Sequence, residues 1–237
     1  MKKRIWELDA LRGIAILAVI AIHLTYDLVV LYDVWDLKGP RLFNFSRDWG
    51  GVVFLVISGI CVTLGSRPVK RGITIFLCGM IITFVTAMMY ILDFTGKDII
   101  IYFGVLHCLG TCMLLWPLLR KLPTWLLAIL GAIIVAAGLY VTVHVRVTFP
   151  WLIPLGFTTP AFSSSDYFPL LPNLGYFLLG TFLGKTLYRK KVSLLPNVNP
   201  HAPILRFLCF CGKQSLLIYL VHQPVLAATI ALLLPLF

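Results

Sequence analysis

Seven apolar runs alternate with short polar and basic segments along this chain, at residues 11–31, 50–65, 73–92, 99–119, 125–143, 168–188 and 214–234. Most approach the ~20 residues that a helix needs to cross a bilayer. With 60% apolar residues, 12% charged residues and a mean hydropathy of +0.96, the sequence cannot cover a soluble surface. It reads as an all-α, polytopic transmembrane helix bundle, a single integral-membrane domain over residues 1–237. Residues 149–157 are apolar but short and broken by Pro150 and Pro154, so they are expected to form a re-entrant or interfacial piece.

The formal net charge of +11 does not indicate nucleic acid, because the basic residues sit in clusters between apolar runs rather than in a stripe with interleaved aromatics. Those clusters set topology. With the N-terminus in the cytoplasm, Lys2, Lys3, Arg4, Arg12, Arg67, Lys70, Arg71, Arg120, Lys121, Lys185, Arg189, Lys190, Lys191, Arg206 and Lys213 all fall inside, and among the acidic residues only Glu7 and Asp9 do so. The basic start resembles a signal peptide. Glu7, Asp9 and Arg12 interrupt it and no Ala-x-Ala site follows, so it is read as an uncleaved first span. The six cysteines lie in or beside apolar runs without paired metal-ligand spacing, which indicates reduced core residues and no metal site. Gly180 and Gly184 form a small-xxx-small face suited to close helix packing.

Ionisable groups inside a span cost roughly 2.5 to 3.5 kcal/mol each near its centre, so those present are site candidates. His23, His107 and His222 are each expected about half-way along a span, and three imidazoles at a similar level imply a shared polar cavity. Asp27 lies four residues after His23, on the same helical face, where a carboxylate can orient an imidazole for general base work. Such a cavity fits either of two functions. One is a reaction between a donor from one side and an acceptor from the other; the alternative is a proton-coupled transporter or flippase of a small polar or lipid-linked substrate. No internal repeat favours transport. A catalytically silent membrane partner, with Arg12 and Asp9 paired for packing alone, is a third reading.

The opening Arg4-Ile5-Trp6-Glu7-Leu8-Asp9-Ala10-Leu11-Arg12-Gly13, followed by an apolar helix to His23, resembles the start of the transmembrane acyltransferase superfamily, with the opening motif of its acyltransferase-3-like members. Three further runs are similar to the heparan-α-glucosaminide N-acetyltransferase branch: Phe103-Gly104-Val105-Leu106-His107-Cys108-Leu109-Gly110, then Asp166-Tyr167-Phe168-Pro169-Leu170-Leu171-Pro172, and Gly175-Tyr176-Phe177-Leu178-Leu179-Gly180. The closing Gly212-Lys213-Gln214-Ser215 and Tyr219-Leu220-Val221-His222-Gln223-Pro224 fit that branch too.

The resemblance implies transfer of acetyl from cytoplasmic acetyl-CoA, as donor substrate, to an amine or hydroxyl of an extracytoplasmic sugar or lipid-linked acceptor. It places Arg4, Asp9 and Arg12 at the donor entrance, with Lys213 on the same basic rim. His23 matches the acyltransferase histidine and is expected to be the base, oriented by Asp27 or by Asp48, which matches an acidic position of the branch. His107 or His222 would donate to the oxyanion or the leaving thiolate. An acyl-His intermediate is the other route open to the same residues. The chain departs from the branch's animal enzyme, which has a proposed active-site histidine between its first two spans, in carrying no His between Leu24 and Leu106. Small-residue helix faces leave a homodimer open.

Overall fold

The computed structural model describes residues 4–31 and 41–233, with the side chains of residues 30, 31 and 41–49 excepted. The chain is helical: α1 (Trp6–Tyr26), α2 (Arg41–Leu64), α3 (Pro68–Ile91), α4 (Val105–Leu119), α5 (Thr124–His144), α6 (Leu170–Thr186), α7 (Pro203–Lys213) and α8 (Ser215–Leu233). A wider π-turn, Asp27–Leu31, extends α1. Four helical stretches, Trp6–Val29, Pro68–Ile91, Thr124–His144 and Ser215–Leu233, are long and apolar enough to cross a bilayer. Gly50–Leu64 and Val105–Leu119 are shorter apolar helices. The seven expected runs are thus all present as helices in a polytopic bundle. Those over 99–119 and 168–188 form helices of 15 and 17 residues, shorter than a full crossing. Large apolar side chains such as Leu77, Ile81, Phe84, Ile133 and Leu232 are exposed, as lipid-facing residues should be.

The chain divides into two compact units, residues 1–54 with 191–237, and residues 55–190. The second unit is inserted in sequence within the first.

In the first unit, α1 packs mainly on α7 and also on α8. The α1–α7 approach is backbone to backbone. A Cβ on Gly13 would collide with the Leu208 carbonyl, and one on Gly212 with that of Asp9, so both positions need the smallest residue. The pairing of residue 13 with 208 and residue 9 with 212 runs the two helices antiparallel. α7 starts at Pro203, whose missing N–H is harmless in a first turn. It buries Cys209, Cys211 and Gly212 while exposing Ile204, Phe207 and Phe210. The sequence reading assigns no helix here, because Arg206 and Lys213 interrupt any run of crossing length.

In the second unit, α3 pairs with α4 and α5 with α6 around a core of Leu55, Val62, Cys108, Leu109, Met113, Trp116, Leu127, Phe177 and Leu178. The predicted small-residue face is used: a Cβ on Gly180 would strike Val56 O, and Gly184 lies against Ile60 and Thr63 of α2. The proline-broken segment forms a short 3-10 turn, Pro150–Leu155, with Trp151 exposed. Tyr167 donates to the Ile153 carbonyl at 2.7 Å, tying that turn down. Burial pushes the Tyr167 phenol up, which keeps it a donor. None of the six cysteines is in a disulfide.

Candidate active site

His23 lies in the last turn of α1, further along the helix than the half-way position expected from sequence, because α1 starts at Trp6 rather than near Leu11. His222 sits in the middle of α8 and is 8% exposed. The two rings meet, with centroids 4.9 Å apart and planes at 62°. The Gln223 side-chain nitrogen, 2.9 Å from His23 Nδ1, can only donate there. The Gln223 side chain also interacts with the Asp27 carboxyl. Asp27 is 3% exposed, and its Oδ1 is buried without a partner among the described residues. The sequence reading puts Asp27 within reach of His23 on one helical face; among the described residues no hydrogen bond joins them, and Gln223 from the neighbouring helix interacts with both.

His222 is held by its own helix. Its Nδ1 lies 2.6 Å from the Tyr219 carbonyl, which only accepts, so Nδ1 carries a proton. Its Nε2 is buried with no partner among the described residues. A buried polar atom left unbonded costs about 1 to 3 kcal/mol, so such an atom calls for a reason.

His107 is placed differently. The fourth run is helical only from Val105, which puts His107 in the first turn of α4 rather than in mid-span. The shift follows from what precedes it: the Phe103 carbonyl accepts from Phe168 N–H at 2.9 Å, and Asp166 Oδ2 accepts the Val105 N–H at 3.1 Å, fixing an extended approach to the helix. His107 Nδ1 accepts from Gly104 N–H at 3.2 Å. That bond leaves the proton on Nε2, which donates to Thr83 Oγ1 at 3.2 Å, and Thr83 in turn donates to the Ile101 carbonyl at 2.6 Å. Both ring nitrogens are therefore engaged within the second unit, between Phe76 and Phe103.

The residues expected at the donor entrance gather in the first unit. Asp9, 5% exposed, is bound by Arg4, with Nε 3.2 Å from Oδ2 and Nη2 3.3 Å from Oδ1. This corrects the expected pairing of Asp9 with Arg12. Helical side chains lean toward the N-terminus, so the Asp9 carboxylate reaches back to Arg4. Arg12 makes no ion pair among the described residues. Gly212 packs on the Asp9 backbone, which brings Lys213 to the same end of α1. Glu7 is a second buried carboxylate here: Oε2 accepts from Ser193 Oγ at 2.9 Å and Oε1 from Leu194 N–H at 2.8 Å. Burial, with the Asp9 and Glu7 charges and against Lys213, pushes the Cys209 thiol up, so it is no thiolate nucleophile. Asp48 lies outside the residues whose side chains are described. No group of three or more His, Cys, Asp or Glu among the described residues could hold a metal ion.

The family whose description is heparan-alpha-glucosaminide N-acetyltransferase, catalytic, matches residues 4–224, which include every feature above. The chain belongs to this family. No curated protein and no solved structure matches it. As a member of the heparan-alpha-glucosaminide N-acetyltransferase catalytic family with several apolar helices, it is an acetyltransferase-type enzyme of the membrane. The match spans both compact units, so the family's domain includes α7 and the His222-bearing part of α8 as well as the opening motif.

Gln223 and the Tyr219 carbonyl are absent from the sequence-derived site. The only signal for Gln223 is its place between His222 and Pro224. The Tyr219 carbonyl is a backbone group with no signal at all.

Proposed function

We propose that the chain moves an acetyl group from cytoplasmic acetyl-CoA to an amine or hydroxyl of an extracytoplasmic, glycan-type acceptor. The observation that carries this reading is the imidazole pair His23–His222, set in apolar stretches of α1 and α8, with one buried ring nitrogen that has no partner among the described residues. Proton transfer at such a pair fits acyl transfer, where a proton must leave the acceptor and one must reach the departing thiolate.

The donor's diphosphate belongs at the start of α1, where Arg4, Arg12 and Lys213 stand near the buried carboxylate of Asp9. Arg12 precedes His23 by eleven residues, about 16 Å along a helix axis. An extended pantetheine arm bridges that order of distance between diphosphate and thioester. The excess of basic residues around the same end supports a cytoplasmic N-terminus. Asp27 acts on His23 through Gln223, and Asp48 remains a candidate from the family motif. His107, with both nitrogens bonded, holds α3 to α4 and takes no part in the chemistry.

The protein in lipid nanodiscs, given acetyl-CoA at a hundred times its Kd, should gain about 2.7 kcal/mol of stability and melt later. It should also move radiolabelled acetyl to an amino-sugar probe. The double variant His23→Ala/His222→Ala should keep the melting shift and lose transfer. A folded double variant that still transfers, or a wild type indifferent to acetyl-CoA, rejects the reading.

A further inference from the structure

We infer that His222, rather than His23, is the base of the transfer step, and that Gln223 is the positioning residue that makes His23 its hydrogen-bond-donating partner. This deepens the acetyltransferase reading and rests on it.

The assignment comes from tautomers that the neighbours dictate. A backbone carbonyl cannot donate, so the 2.6 Å contact to Tyr219 O fixes the His222 proton on Nδ1. The neutral ring then has its lone pair on Nε2, the atom that is buried with no partner among the described residues. At His23 the pattern is reversed. The Gln223 N–H occupies the Nδ1 lone pair, so the proton of the neutral ring sits on Nε2. The Gln223 side chain also interacts with the buried carboxyl of Asp27. The rings lie edge against face with centroids 4.9 Å apart, so the acceptor nitrogen and the N–H belong to adjacent imidazoles.

The step balances with these two groups. The acceptor X–H gives its proton to His222 Nε2 as the X lone pair forms a bond to the thioester carbonyl carbon. The carbonyl π pair moves to oxygen, and the His23 Nε2–H donates to that oxyanion. As the carbonyl re-forms, the C–S bond breaks and its electron pair leaves on sulfur. The thiolate then takes the proton from His222 Nε2, giving the acetylated acceptor and free CoA thiol. Sequence reasoning gives the base to His23; the neighbours of the two rings exchange the roles.

Selective 15N-histidine labelling of the protein in nanodiscs reports which ring nitrogen holds the proton, with His23→Gln and His222→Gln assigning the signals. The expected result is an Nδ1-protonated His222 and an Nε2-protonated His23, the latter lost in Gln223→Leu. An Nε2-protonated or averaging His222 overturns the assignment whatever the protein transfers. With acetyl-CoA as donor and glucosamine as acceptor probe, His222→Ala should lower kcat by 10²–10⁴-fold. Free imidazole should restore part of that loss, which it would not do for a structural defect. His23→Gln, whose amide keeps an N–H, should lose only about tenfold; an equal or larger loss than at His222 overturns the division of roles. A wild type that passes acetyl to neither glucosamine nor water removes the catalytic part of the assignment together with acetyl transfer. In that event the labelled rings still report whether the tautomers are as stated, so the two failures are told apart.

Discussion

His107 in the second unit and His222 in the first are both buried imidazoles on apolar helices, at 2% and 8% exposure, yet they are wired in opposite ways. At His107 a backbone amide and a threonine hydroxyl satisfy both nitrogens, and the threonine passes the chain of bonds on to Ile101. At His222 one nitrogen is tied to a carbonyl and the other has no partner among the described residues. The difference teaches that burial alone does not separate a structural histidine from a candidate catalytic one in a membrane helix. A satisfied ring is a staple whose bonds repay its desolvation, whereas an unbonded buried nitrogen is open to a further partner such as a substrate.

The largest effect that would break the contrast is at the staple. His107→Leu should destabilise the protein by about 3 kcal/mol, because the Gly104 N–H loses its acceptor and the Thr83 link to α4 is cut. Acetyl transfer per folded molecule should stay within about threefold. Thermal melting beside kcat measured on the folded fraction separates the two, and a catalytic collapse with normal melting would place His107 in the chemistry after all. Next in size is Gln223→Leu. Freed from its donor, His23 can take up either tautomer and kcat should fall about tenfold, worth about 1.4 kcal/mol of transition-state energy, with KM for acetyl-CoA unchanged. A changed KM with constant kcat would make Gln223 part of donor binding instead. The smallest is Thr83→Val, which leaves the His107 Nε2–H unpaired and should cost about 1 kcal/mol in melting with no change in turnover.

The helices were legible because apolar runs and basic punctuation are local, and lipid demands both. So was the Gly180–Gly184 face, since small residues four apart have one principal use in such a helix. His23 and His222 could each be picked out by their cost, but their meeting could not, because 199 residues separate them in the chain and nothing short-range encodes the pairing. The same holds for Glu7 and its bonds to Ser193 and Leu194. α7 escaped for another reason. Its length falls below a crossing and two cations interrupt it, so only the Pro203 start and the helical spacing of Leu205, Leu208, Cys209 and Gly212 could have revealed a helix lying on α1. Arg4 rather than Arg12 at Asp9 was a matter of side-chain direction, which spacing does not record.

The interleaving of the two units has a consequence for synthesis. α1 leaves the ribosome bearing Glu7, Asp9, His23 and Asp27, while the groups that satisfy Glu7 and touch His23 are translated some 185 to 200 residues later. At roughly 5 to 20 residues per second, the nascent N-terminal helix waits on the order of ten to forty seconds with the Glu7 carboxyl and the His23 imidazole unmatched. Over that interval the helix must be shielded by the insertion machinery or by interfacial water, and a nascent chain stalled before α7 would present that unmatched helix to quality control.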